Sequence, residues 1–147
     1  MATHTAFADN VVSRPVGVIK VELAAGENTF LSILFAAADN TVQSIFAGQL
    51  ADVPCIVRKW DNVNQVYIEA GLDSDLTLEP GEGFILQNQS VEAQTVYLAG
   101  AVVLDDEVIV ELSQGMNLIS YPYSSVGLEA SIGLESTGDL LAGVGYW

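Results

Sequence analysis

Apolar and polar positions alternate over Ile19, Val21 and Leu23, with Lys20 and Glu22 between them. That is the period of a half-buried strand, whose successive side chains point to opposite faces. Val108, Val110 and Leu112 repeat the pattern. Runs rich in β-branched and aromatic residues at 30–35, 56–60, 66–69, 83–86, 95–99 and 118–123 predict further short strands. Gly and Asn at 25–28, 61–64, 80–83 and 114–117 supply the positive-φ conformations of turns between them. A helical period appears in two places. Asp39, Asn40 and Thr41 cap a predicted short helix whose apolar stripe is Val42, Ile45, Phe46 and Leu50. Residues 129–141 are a weaker counterpart, interrupted by Gly133 and Gly138. About eight closely spaced strands with one or two short helices predict a mostly β fold, a β-sandwich or barrel-like domain.

The pattern also repeats internally. Val21-Glu22-Leu23-Ala24-Ala25-Gly26-Glu27-Asn28-Thr29-Phe30-Leu31-Ser32 aligns with Val110-Glu111-Leu112-Ser113-Gln114-Gly115-Met116-Asn117-Leu118-Ile119-Ser120, with one residue deleted. Phe35 then precedes Trp60 by 25 residues, as Tyr123 precedes Trp147 by 24. A looser third copy of the strand-turn-strand runs from Leu76 through Pro80 and Gly81 to Leu86. A unit this small cannot bury its apolar face alone. The expected organisation is an N-terminal arm over 1–16, a first β repeat over 17–102, and an incomplete second repeat over 103–147 packed with the first. In the second copy, residues 144–147 match 57–60, but no strand follows to match Val66-Tyr67-Ile68. The terminal strand with Tyr146 and Trp147 therefore calls for cover. The first repeat supplies it, or a neighbouring chain does, through its N-terminal arm with Val11 and Val12.

Composition narrows the class. In 147 residues, half are hydrophobic and 16% charged, which excludes a disordered chain. This length buries about two thirds of the unfolded surface in one domain, with no need of disulfides or metal. No run reaches the ~18 apolar residues of a membrane-spanning helix, and residues 1–10 carry neither a basic n-region nor a long apolar h-region. The expectation is a chain that does not insert in membranes, made and assembled in the cytoplasm or written in its mature, exported form. The net charge is −15, and it is unevenly placed. Residues 61–147 hold fourteen acids and no base, whereas 1–60 hold five acids and the four bases Arg14, Lys20, Arg58 and Lys59. Phosphate binding rests on clustered Lys and Arg, so nucleic acid is not an expected partner. An acidic solvated surface that keeps an apolar protein soluble accounts for the charge.

Catalytic chemistry finds no set of groups. The single His4 lies in the N-terminal arm, away from any nucleophile, and one His with one Cys makes no zinc site. Cys55, in Pro54-Cys55-Ile56-Val57, reads as a small core residue. The chain is accordingly expected not to be an enzyme. Calcium is the one ligand the acids suggest, at Asp73, Asp75 and Glu79 with Glu82, or at Asp105-Asp106-Glu107, although solvated acidic turns explain the same residues. Exposed aromatics among Trp60, Tyr67, Tyr97, Tyr121, Tyr123, Tyr146 and Trp147 leave a carbohydrate-binding or adhesion module as the alternative function.

Arg14-Pro15-Val16-Gly17-Val18 with Val21-Glu22-Leu23, the Lys59-Trp60-Asp61 segment, Leu78-Glu79-Pro80-Gly81-Glu82-Gly83-Phe84 and Gly115-Met116-Asn117-Leu118-Ile119-Ser120-Tyr121-Pro122 resemble the β-rich repeats of exported surface proteins of Verrucomicrobia and Planctomycetes. The resemblance implies a surface or assembly role and names no catalytic or binding residue. The chain differs in being short, in showing no signal peptide and in ending within a repeat. The expected function is a structural subunit that self-assembles with copies of itself into a large homopolymer. Its expected setting is an extracellular filament or cell-surface layer, or a virion shell or tail. Tyr146, Trp147, Trp60, Val11 and Val12 are its candidate assembly residues.

Overall fold

Seven strands form two antiparallel sheets in the computed structural model of the protein, which describes residues 15–102 and 109–120. Sheet A holds β1 (Val16–Leu23), β7 (Gln94–Val102) and β3 (Phe35–Ala36), in the order β1-β7-β3. Sheet B holds β2 (Asn28–Ser32), β6 (Gly83–Asn88), β4 (Cys55–Asp61) and β5 (Val66–Ala70), in the order β2-β6-β4-β5. The two sheets stay open, so the fold is sandwich-like and not a closed barrel. The turn at 24–27 carries the chain from β1 in one sheet to β2 in the other, an arch rather than a hairpin.

The alternation read in the sequence decides which faces meet. From sheet A, Leu23, Val96 and Leu98 point inward and are buried, with Val21 packed against them. From sheet B, Val57, Phe84, Leu86 and Cys55 oppose them. β6 is buried on both faces, because Ile85 on the outer side is covered between Phe30 of β2 and Arg58 of β4 in the strand register. A strand covered on both sides reads as a continuous apolar run, as Gly-Phe-Ile-Leu does here.

The predicted helix forms, shortened to a single π-type turn at Gln43–Ala47. Its predicted stripe closes one end of the sandwich, with Val42, Phe46 and Leu50 buried and Ile45 partly so. Thr41 Oγ1 accepts the Ser44 N–H at 3.2 Å and Asp39 accepts the Thr41 N–H at 2.9 Å, but Asn40 Oδ1 takes the Ala37 N–H at 3.0 Å, and the residue at the N-cap is Val42, which makes no side-chain cap bond. The turn is held over the core by backbone bonds from Val42 to Leu76, Gln43 to Ser74 and Leu78 to Asn40. The helix predicted over 129–141 lies outside the described residues.

Other expectations come out differently. The run at 30–35 is two strands, β2 in sheet B and β3 in sheet A, because Ile33 leaves the ladder to bridge Pro80. Residues 109–112 form no strand, and 118–120 contribute only a bridge from Ile119 to Glu82. The three aligned turns share one feature. Gly26, Gly81 and Gly115 are the glycines of positive φ among the described residues, at 72°, 90° and 109°.

Candidate assembly surfaces

Trp60 sits where β4 runs on past its last pairing with β6, at Lys59 and Phe84. Beyond that point the chain at 118–120 takes over. Gly83 N–H donates to Leu118 O at 3.2 Å, Ser120 N–H to Gly81 O at 2.9 Å and Ser120 Oγ to Glu82 O at 3.0 Å. The indole N–H of Trp60 donates to Met116 O at 2.7 Å, and its ring meets Tyr67 edge to face at 4.8 Å and 73°. Trp60, one of the candidate assembly residues, makes its contacts here within the chain: it fastens the 109–120 segment to the β4–β5 hairpin.

Gln65 completes that fastening. Its carboxamide accepts the Met116 N–H at 2.7 Å and donates to Met116 O at 3.1 Å, as a neighbouring strand would. Asn62 Nδ2 donates to Glu111 O at 2.9 Å. The hairpin turn is shaped for this by Asp61, whose carboxylate accepts the N–H groups of Val63 and Asn64. The Asn64 bonds hold that carboxyl below its ordinary pKa. Gln49 makes an equivalent clamp elsewhere, donating to Tyr97 O at 2.9 Å and accepting the Tyr97 N–H at 2.7 Å on β7, away from the Ala101–Val102 stretch that β3 pairs. The buried Asn88 ties the arch at Leu23 and Ala24 to Glu92, with both its amide nitrogen and its amide oxygen engaged.

Replacing Gln65 by alanine removes both bonds to Met116, each worth about 0.5–1.5 kcal/mol. The expected result is faster hydrogen exchange at Met116 and a change in Trp60 fluorescence while the sandwich still melts cooperatively. Unchanged exchange at Met116 would show that the clamp does not hold the segment.

Among the described residues, two apolar surfaces are exposed. On the outer face of sheet A, Val16 is 71% exposed, Val18 62% and Tyr97 50%, and Ala99, opposite Val18, is exposed with them. Lys20 and Glu22 pair with one another at 2.8 Å at the end of that face. On sheet B, the edge strand β5 exposes Val66, Tyr67 and Ile68. A third feature is a groove of about 290 Å³ between the sheets, lined by Ile19, Val21, Phe30, Leu31 and Leu98 and floored by Leu118.

Each of the three described bases is engaged by an acid: Lys20 by Glu22, Arg58 by Glu69 and Lys59 by Glu82. Of the calcium candidates, Asp73, Asp75 and Glu79 are exposed on the 71–82 loop. The Glu82 carboxylate is bound by Lys59 at 2.6 Å and by the Glu79 N–H at 3.1 Å. Among the described residues, no group of three His, Cys, Asp or Glu is gathered as metal ligands would be. Cys55 is buried, and that burial pushes its thiol above the ordinary value. Val11, Val12, Tyr146, Trp147, His4 and 105–107 lie outside the described residues. Sequence reasoning missed Gln49 and Gln65, for which composition carries no signal.

The chain matches no protein-family model, no curated protein and no solved structure.

Proposed function

We propose that this protein is a non-enzymatic structural subunit that assembles with copies of itself through the outer face of sheet A. The observation that carries the reading is the apolar row of Val16, Val18 and Tyr97, half to three-quarters exposed on a chain of net charge −15. Burying apolar surface contributes about 25 cal/mol per Å² removed from water, and contiguous apolar patches on soluble chains mark interaction sites. The exposed β5 edge is a different patch on the other sheet. Two unlike patches favour head-to-tail contact, which gives an open polymer when the rotation between copies does not close. The acidic remainder of the surface disfavours unspecific contacts. The setting we propose is an extracellular filament or surface layer, or a virion shell or tail, and the resemblance to exported repeat proteins supports the surface setting.

Negative-stain microscopy and sedimentation velocity of the purified chain test this. The expected result is large particles for the wild type and monomers for Val18→Glu/Tyr97→Glu, with a melting temperature close to the wild type, because exposed positions tolerate exchange within about 0.5 kcal/mol. A wild-type chain that stays monomeric at high concentration rejects the proposal. If it also binds insoluble polysaccharide, the carbohydrate-binding alternative takes its place.

A further inference from the structure

The groove between the sheets opens between two strand edges. β1 is the edge of sheet A and β2 the edge of sheet B, and among the described residues neither pairs on its outer side. The walls there are apolar: Ile19 and Val21 from β1, Phe30 and Leu31 from β2, with Leu98 behind. A sandwich open along two adjacent edges exposes both backbone donors and core side chains. One extended segment with apolar residues at every second position satisfies both at once.

The sequence contains such a segment. Val126, Leu128, Ala130, Ile132 and Leu134 alternate with Gly127, Glu129, Ser131, Gly133 and Glu135. This is the strand period, carried through five apolar positions, and it overlaps the first half of the predicted helix over 129–141. The alternate face holds only small or acidic residues, which suits a strand with one side in water.

We propose that residues 126–134 lie in this groove of their own chain as an additional strand between β1 and β2. Proximity decides for the same chain over a second copy. Ser120, itself a lining residue of the groove, is fixed by its bonds to Gly81 and Glu82. Only residues 121–125 separate it from Val126, a span of at most about 22 Å. A tether that short presents the segment at an effective concentration on the order of millimolar, which a free partner does not match at ordinary protein concentrations. Nine residues in a strand extend about 30 Å, comparable with the eight residues of β1. The proposal does not rest on assembly: the segment fills the groove whether or not the outer face of sheet A meets another copy.

Paired cysteines in the full-length Cys55→Ser chain test it. Ile19→Cys and Leu31→Cys are each combined with Leu128→Cys and with Ile132→Cys, since a disulfide needs Cα atoms about 4.4–6.8 Å apart and the register is open. The expected result on oxidation is a disulfide within single chains for at least one pairing, seen as a faster-migrating monomer that reverts on reduction. Covalent dimers and higher ladders in place of that monomer identify a second copy as the occupant and overturn the proposal, and so does the absence of any bond in all four pairings. A second measurement needs no cysteine. Leu128→Asp and Ile132→Asp are expected to lower the melting temperature of the otherwise native chain by several degrees, while Glu129→Lys leaves it unchanged. Equal melting of all three variants and the wild type overturns the proposal as well.

Discussion

Truncating Phe84 to alanine is expected to lower the free energy of unfolding by about 3–5 kcal/mol, the range for a fully buried aromatic. Phe84 is 1% exposed on the central strand β6, where it faces Leu31 across one ladder and Lys59 across the other. Its ring meets Phe46 at 6.1 Å and 62°, an edge-to-face contact worth about 0.5–1.5 kcal/mol beyond burial. The side chain therefore joins sheet B to the helical turn that closes the end of the sandwich. It also walls the groove, so its removal enlarges a gap that the neighbouring strands are too constrained by their ladders to close. Since a domain of this size retains only about 5–15 kcal/mol, the loss removes a large share of the total. Urea unfolding followed by Trp fluorescence checks this: the midpoint falls and the slope stays constant. Phe84→Leu, which keeps an apolar side chain on β6, is expected to cost clearly less. Equal losses for the two variants would mean that the ring contact with Phe46, which both lack, sets the cost and that the apolar volume leucine retains contributes little.

The features legible in the sequence were those set by short-range periodicity. The alternation of Ile19, Val21 and Leu23 marked the inward face of β1 correctly, and Val42, Phe46 and Leu50 were placed on one buried stripe. Positions 26, 81 and 115 carry the sequence pattern of turn glycines, and all have positive φ. The mostly β, sandwich-like fold follows from those elements. Pairing was not legible, because it is decided by residues far apart: β7 comes last among the described strands yet inserts between β1 and β3. The split of 30–35 was hidden for the same reason, since the bridge of Ile33 to Pro80 lies 47 residues away. Val110 and Leu112 show the reverse failure. Alternation describes a surface that can be half-buried, but a strand also needs a free edge to pair with. Here the backbone of 109–117 is met instead by side chains, Asn62 at Glu111, Asn117 at Ser113 and Gln65 at Met116. A glutamine that substitutes for a strand has no composition signal, so both Gln clamps were invisible until the backbones they serve were in place. The outer face of sheet A was not legible either, because the Val16 and Val18 of a strand look the same whether that face is covered or open.

Gly17→Val is the second large effect, and it concerns a close approach. Gly17 and Gly100 are directly opposed in the β1–β7 ladder. A Cβ at position 17 would overlap the ring of Phe35, and one at position 100 would lie 2.7 Å from Ala36 O and 3.0 Å from Phe35 Cβ. The glycine pair is therefore the floor on which β3 lays Phe35, which is 7% exposed. Valine is otherwise a better strand residue than glycine, so propensity alone predicts that the exchange stabilises β1, by up to about 1 kcal/mol. Overpacking opposes this at about 1–3 kcal/mol, and expelling the ring adds about 1.5–3 kcal/mol of lost burial, so the sterics win. The expected outcome is a clear loss of stability with β3 detached from β7, seen as rapid exchange of the β7 amides that face it. The cause is isolated by combining Gly17→Val with Phe35→Ala, which removes the overlapping ring. Because the two residues touch, the double variant is expected to be more stable than the two single losses added together, by about 0.5–3 kcal/mol. Strictly additive losses would place the damage elsewhere in β1 and detach Phe35 from the account.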